Sequence, residues 1–226
     1  MKKMTPTPLF LVVLIIVLVA FGLVSYRPDI PDNDTPVTGL PWQIDVLPDG
    51  NTRVFGVTPG VTTLGEAMQR FGNDMELALI AAPGEAGSLE AYYSHYSAGP
   101  ITGGLILVMD IAPERLAGLR GRAFQDGGLR RYRLHPDDLP VAFQAPIRVI
   151  TFSPSFSLDE EIAQSRFGTP DAVVEVNARQ KHLLYPDQGL DLVLDAEGKE
   201  VLQYLAPRAF AAYRDQLQAR PGRAGN

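Results

Sequence analysis

No cysteine occurs anywhere in the 226 residues. That excludes disulfides, thiolate metal sites, a cysteine nucleophile and a lipid-modified N-terminal cysteine. Histidine is scarce as well. His95, His135 and His182 stand far apart, with no His-x-x-x-His or Glu-x-x-His pair to put two ligands on one helix face, so no metal is expected. There is no Gly-x-Ser-x-Gly elbow and no Ser-x-x-Lys signature for a serine nucleophile. The glycine pairs Gly118/Gly121 and Gly127-Gly128 lack the Lys-Ser or Lys-Thr of a phosphate loop, and the dinucleotide fingerprint is missing. The adjacent carboxylates Asp137-Asp138 and Glu160-Glu161 would point about 100° apart on a helix, and they read as solvated N-terminal caps rather than as a catalytic dyad. Neither enzymatic activity nor a cofactor is expected. Charged residues make up only 20% of the chain against 46% hydrophobic, a balance that buries a core and excludes wholesale disorder.

What the chain does have begins at its N-terminus. Leu9 to Val24 is an unbroken run without a polar side chain, and Pro8 to Tyr26 extends it to nineteen residues. As a helix, that length reaches about 28 Å, close to the hydrocarbon thickness of a bilayer. Lys2 and Lys3 precede the run, whereas Asp29, Asp32 and Asp34 follow Arg27. The positive-inside bias therefore predicts a single-pass anchor over 1–27, with a cytoplasmic N-terminus and an exported remainder. A cleaved signal peptide ending near Ala20-Phe21-Gly22 is the competing expectation, and a buried soluble helix the third. Three of the 20 basic residues lie in 1–27, so the remainder carries 17 against 26 acids, a balance of -9. Nucleic acid and anionic headgroups repel such a domain as a whole.

Residues 28–41 hold four prolines and three aspartates and read as an extended tether. An internal duplication follows. Val54 to Gly72, VFGVTPGVTTLGEAMQRFG, parallels Ile150 to Gly168, ITFSPSFSLDEEIAQSRFG. Each copy reads as an apolar strand, a Thr-Pro or Ser-Pro step and a short helix ending in Arg-Phe-Gly. Thr62 or Thr63 and Ser157 are the expected N-caps, with Glu66 and Glu160 as capping-box partners. Leu64, Ala67, Met68 and Phe71 in one copy, and Leu158, Ile162, Ala163 and Phe167 in the other, mark the apolar faces. Gly72 and Gly168 are the expected left-handed C-caps, with Pro170 stopping the second helix.

Beyond each helix the hydrophobic period shortens towards two. Strands are predicted over 75–81, 89–96 and 104–109, then over 172–176, 182–185, 190–194 and 201–205. Between the copies, 113–122 reads as a Pro-initiated helix, 129–134 as a strand and 136–143 as a short helix. Pro207 to Ala219 repeats the Pro-initiated pattern, with Phe210, Tyr213 and Leu217 on one face, before a tail from Arg220. The predicted fold class is α+β: a transmembrane helix (1–27), a tether (28–41), a first helix-plus-antiparallel-meander repeat (42–111), a linking segment (112–146), a second repeat (147–206), and a C-terminal helix with tail (207–226).

The second copy resembles the SmpA/OmlA family of small envelope lipoproteins. Ser157, Asp159, Glu160, Ile162, Gly168, Thr169, Pro170 and Tyr185 fit that family's polar helix start, acidic first turn, aliphatic face, Gly-x-Pro step and second-strand aromatic. The match spans about 153–205, and more faintly 58–109, where Asn73-Asp74 replaces the Gly-x-Pro ending. The resemblance implies a helix packed on a three-stranded antiparallel sheet and a non-catalytic role in the cell envelope. The family's lipid-bearing cysteine is missing here, and the apolar N-terminal segment stands in its place.

Two surface features point towards partners. Between Arg115 and Arg133 lie six arginines against Glu114 and Asp126; a solvated linker face offset by nearby acids is the favoured expectation, and Arg130, Arg131 and Arg133 are otherwise candidates for docking an acidic partner or a headgroup phosphate. Tyr92 and Tyr96 are predicted to share one strand face, opposite Tyr93 and His95; packing in a half-buried strand is the favoured expectation, and a protein interface is the alternative that makes them candidate docking residues. The expected function is a membrane-anchored, exported interaction or scaffold module with an unidentified envelope protein as partner. The alternative is a periplasmic module that binds a small ligand or lipid in a groove between the two copies.

Overall fold

The structure, a computed structural model, describes residues 37–82, 87–125 and 130–219. The predicted anchor over 1–27, the first part of the tether, the Gly127-Gly128 pair and the tail from Arg220 lie outside the described residues. Among the described residues no helix is long and apolar enough to cross a membrane.

Among the described residues, twelve strands and five α-helices make a mixed α+β fold. A small antiparallel ladder joins β1 (Asp45–Val46) to β2 (Thr52–Arg53). The other strands are β3 (Glu76–Ile80), β4 (Ser88–Ala98), β5 (Ile101–Met109), β6 (Phe124–Gln125), β7 (Arg131–Arg133), β8 (Ile147–Pro154), β9 (Ala172–Glu175), β10 (Gln180–Tyr185), β11 (Leu190–Asp195) and β12 (Val201–Leu205). They form one antiparallel ten-stranded sheet in the order β6-β7-β3-β4-β5-β8-β12-β11-β10-β9. The helices are α1 (Leu64–Phe71), α2 (Pro113–Arg122), α3 (Leu139–Gln144), α4 (Glu160–Phe167) and α5 (Phe210–Ala219).

The same construction occurs twice along this sheet. Helix α1 leads into the meander β3-β4-β5, and α4, of the same eight-residue length, leads into β9-β10-β11-β12. Each helix ends in Phe-Gly, with the glycine N–H donating back to Met68 or Gln164. Each cap glycine has positive φ (84° and 86°) with extended ψ, so the expected left-handed cap is realised in φ alone. A tyrosine of the second meander strand then fastens each helix end. Tyr93 Oη donates to the Gly72 carbonyl at 3.1 Å and Tyr185 Oη to the Gly168 carbonyl at 3.2 Å. The rings lie 5.8 Å from Phe71 and 6.0 Å from Phe167.

Several expectations need correcting. The two halves are not separate sheets, because β8 pairs with β5 on one side and β12 on the other. The linking segment is no spacer either, since β7 adds to β3 and β6 to β7. Chain predicted as tether is already docked by Pro41, whose carbonyl accepts from the buried Tyr204 hydroxyl at 2.9 Å. The first copy's apolar strand is instead a tight turn closed by reciprocal backbone bonds between Val54 and Val57. In that turn Phe55 has φ 54° and fills the core against Tyr96, Phe152 and Tyr204. Thr63 caps α1 with Glu66 in a full capping box, but Asp159, not Ser157, caps α4, through its carboxylate to the Ile162 N–H at 2.7 Å. The later start turns Ile162 outwards, to 38% exposure, while Ala163 and Phe167 are buried.

Four helices contribute to one core on the front of the sheet, with Leu64, Leu116, Ala142 and Phe167 meeting Leu79, Leu107, Ile150 and Leu192. The fifth lies on the rear. There Phe210 and Leu217 of α5 meet Leu184 and Leu205, with Val149, Ala172 and Val174 around them. This satellite core surrounds a polar cluster. Asp191 is fully buried and accepts from the Tyr213 hydroxyl; its Oδ2 lies 2.7 Å from His182 Nδ1. Its other oxygen, Oδ1, has no hydrogen-bond partner among the described residues.

Candidate docking face

Strand alternation sorts the predicted site residues. On the front of β4, Leu89, Ala91 and Tyr93 enter the core, so Glu90 and Tyr92 face the rear. A β-bulge between Tyr93 and Tyr96 then shifts the phase. Tyr92 remains outside at 40% exposure, whereas Tyr96 turns inwards against Phe55, Phe71 and Phe152. Burial pushes its phenol up to about 12. The shared face expected for Tyr92 and Tyr96 is therefore corrected. Tyr96 is a packing residue.

The arginines divide in the same way. Arg131 sits opposite Ile80 in the β7–β3 ladder and pairs with Glu76 at 2.7 Å. Glu76 in turn stands opposite Tyr92, so Arg131 and Tyr92 flank one carboxylate on the rear face. Arg133, two residues on, shares this face and lies 6.0 Å over the ring of Phe124, itself 49% exposed. Arg130 is exposed just before the strand. Tyr132, between the two strand arginines, faces the front and takes the Arg120 guanidinium at 5.1 Å. Asp138, expected to be a solvated cap, is 2% exposed and pairs with Arg122.

A continuous rear surface results. It runs from Phe124 and Arg133 through Arg131, Ile80 and Glu76, with Ala78 buried among them, to Tyr92, whose ring rests over Gly104, and on to the half-buried Ile106 and Val108. Among the described residues no helix lies over this half of the sheet, because α5 covers only the other half. Aromatic and arginine side chains around an aliphatic centre are the composition enriched at protein interfaces. Sequence reasoning found Tyr92, Arg131 and Arg133 but missed Phe124, Ile106 and Val108. The isoleucine and valine carry no signal separating an open face from a covered one.

The seam between the two helix-and-meander units is filled by Phe55, Leu105, Ile150, Phe152 and Tyr204, each at most 2% exposed. Two concavities lie away from this seam. A cleft of about 530 Å³ lies among Ser157, Asp159, Glu175, Arg179, Lys181 and Asp195. Hydrogen bonds from the Glu197 backbone and from Gln180 hold the Asp195 carboxyl below its ordinary range. A groove of about 410 Å³ runs beside α5 between Arg148, Val149, Leu205, Ala212 and Arg208. The three histidines do not converge: His95 bonds to Ser94, His135 stacks on Phe124, and His182 is enclosed with Asp191. No family model, no curated protein and no solved structure matches this chain.

Proposed function

We propose that this protein is a non-catalytic interaction or scaffold module of the cell envelope, held by a single N-terminal membrane helix with its C-terminal domain exported. The observation that carries the reading is the open rear face, where Arg131, Arg133, Phe124 and Tyr92 border an aliphatic strip that the chain's described helices leave uncovered. Anchoring rests on the apolar run from Pro8 to Tyr26 and its flanking charges. In this reading the chain is an inner-membrane protein of a Gram-negative-like cell, with two SmpA/OmlA-like units built into one sheet. The Tyr-to-Gly fastening repeated at Tyr93 and Tyr185 supports a shared unit design.

A photo-crosslinker replacing Tyr92 in living cells, followed by membrane fractionation and mass spectrometry, tests both parts. The expected result is a membrane-bound adduct with a defined envelope protein, lost in Arg130→Glu/Arg131→Glu. An adduct-free protein, or a shortened soluble product, would overturn the reading. The competing lipid- or small-ligand module draws on the groove beside α5 rather than on the filled seam. It predicts a co-purifying ligand displaced by Ala212→Trp.

A further inference from the structure

The two units can be laid on one another residue by residue, using only the fastened tyrosines and the ladder registers. With Tyr93 matched to Tyr185, Tyr92 corresponds to Leu184 and Glu90 to His182. Moving across the ladders, Ile106 corresponds to Asp191 and Thr151 to Gln203, because they stand opposite those residues in the same order. Moving the other way, Glu76 corresponds to Ala172 and Ala78 to Val174. The residues matched in the second unit form the floor under α5: Leu184, Ala172 and Val174 touch its apolar side, and Asp191 and Gln203 receive the Tyr213 hydroxyl. The molecule thus displays, on one unit, the kind of element that covers this surface.

We propose that the rear face of the first unit receives an amphipathic helix from a partner protein, seated over Tyr92 and Ile106 as α5 is seated over Leu184 and Asp191. This rests on the docking reading above and names the partner's form. The chemistry of the helix follows from what differs between the two floors. Where the second unit has the buried Asp191, the first has Ile106, so the position taken by Tyr213 in α5 calls for an aliphatic side chain. Where the second unit has His182, the first has Glu90, whose carboxylate accepts from Ser88 at 2.5 Å and has no ion-pair partner among the described residues. The incoming helix therefore carries a lysine or arginine beside its apolar stripe. A second copy of this chain is the rival occupant. Its rear face would set Glu90 against further carboxylates or against an Arg131 already engaged by Glu76.

The chain's own helix supplies the probe. A fluorescent, hydrocarbon-stapled peptide spanning residues 207–219 with Tyr213→Leu, whose own Arg214 flanks the apolar stripe of Phe210 and Leu217, is titrated against the full chain in lipid nanodiscs, and separately photo-crosslinked from position 92. Saturable binding is expected, with the adduct at position 92. Ile106→Lys should weaken binding about tenfold or more and Glu90→Gln about threefold, in line with central and peripheral interface contacts. Circular dichroism reports whether each variant stays folded. Binding that Ile106→Lys leaves unchanged would place the peptide elsewhere and overturn the proposal, as would no saturation up to millimolar peptide. If in-cell crosslinking from position 92 captures a protein while the peptide fails, the helix is wrong and the docking reading survives. If it captures only a second copy of this chain, the helix proposal falls as well.

Discussion

Phe55 carries a backbone conformation that a bulky side chain rarely adopts, at φ 54°, and it is held there by three edge-on ring contacts at 5.3 to 5.7 Å. The strain persists because the ring plugs the seam between the two units. Phe55→Ala is expected to cost about 3 to 5 kcal/mol, the range for emptying a buried aromatic site, read from urea unfolding. The fastening tyrosines are subtler. Tyr93→Phe or Tyr185→Phe removes one hydroxyl and strands one cap carbonyl, for about 1 kcal/mol each, and equal losses in the two units would mark equal roles. Tyr96 gives a pH signature. Burial holds its phenol protonated to about 12 against an ordinary value of 10, so the folded state keeps a proton that the unfolded chain releases. That stability is fully present below pH 10 and is lost as pH rises towards 12. Tyr96→Phe should flatten the alkaline limb of stability against pH, and an unchanged limb would contradict the burial. Which of Tyr92 and Tyr96 meets water was not legible in the sequence, because a single extra residue between Tyr93 and Tyr96 shifts the phase of the strand.

At the scale of elements, capping and periodicity were legible where the signal is local. The α1 capping box, the span of α2 and β12, and the apolar stripe of α5 follow from residues within one or two turns of each other. For α4 two polar candidates compete two positions apart. Asp159→Ala should lose about 1 kcal/mol as a true N-cap while Ser157→Ala loses little; the reverse order in thermal or urea unfolding would return the cap to the serine. Less legible was which side of the sheet each helix takes. Period alone places α5 on a sheet, but only the buried acid of Asp191 tells why it chose the rear of the second unit. Tyr213→Phe removes a donor from that enclosed carboxylate and should destabilise by about 1 to 3 kcal/mol. Hydrogen exchange in β10 and β11 would rise with it if α5 loosens, and unchanged exchange would show the helix held by its apolar contacts alone.

Among the described residues, the two copies read in the sequence share one ten-stranded sheet. The duplication was visible in the repeated Arg-Phe-Gly helices, but the fusion was not, since nothing in a strand's sequence names its neighbour. Because β8 is bonded to both β5 and β12, the two units are expected to unfold together. Trp42, stacked under Arg166 at 4.6 Å, and the far-ultraviolet signal of the sheet should report one coincident transition. Two separated midpoints would argue for independent units.

The shared strand also sets an order of events during synthesis. Until residues 147–154 have emerged, the nine-residue β5 has no neighbour on its outer side, and its Leu105 and Leu107 have only part of their cover. Any delay there leaves a long, apolar, hydrogen-bond-hungry edge exposed to other nascent chains. Pairing β8 next closes β5 but opens a new edge that waits for β12, some fifty residues later. Assembly therefore advances through two successive sticky stages, and a ribosomal pause or truncation just before residue 147 is where this chain would be most in need of a holding chaperone.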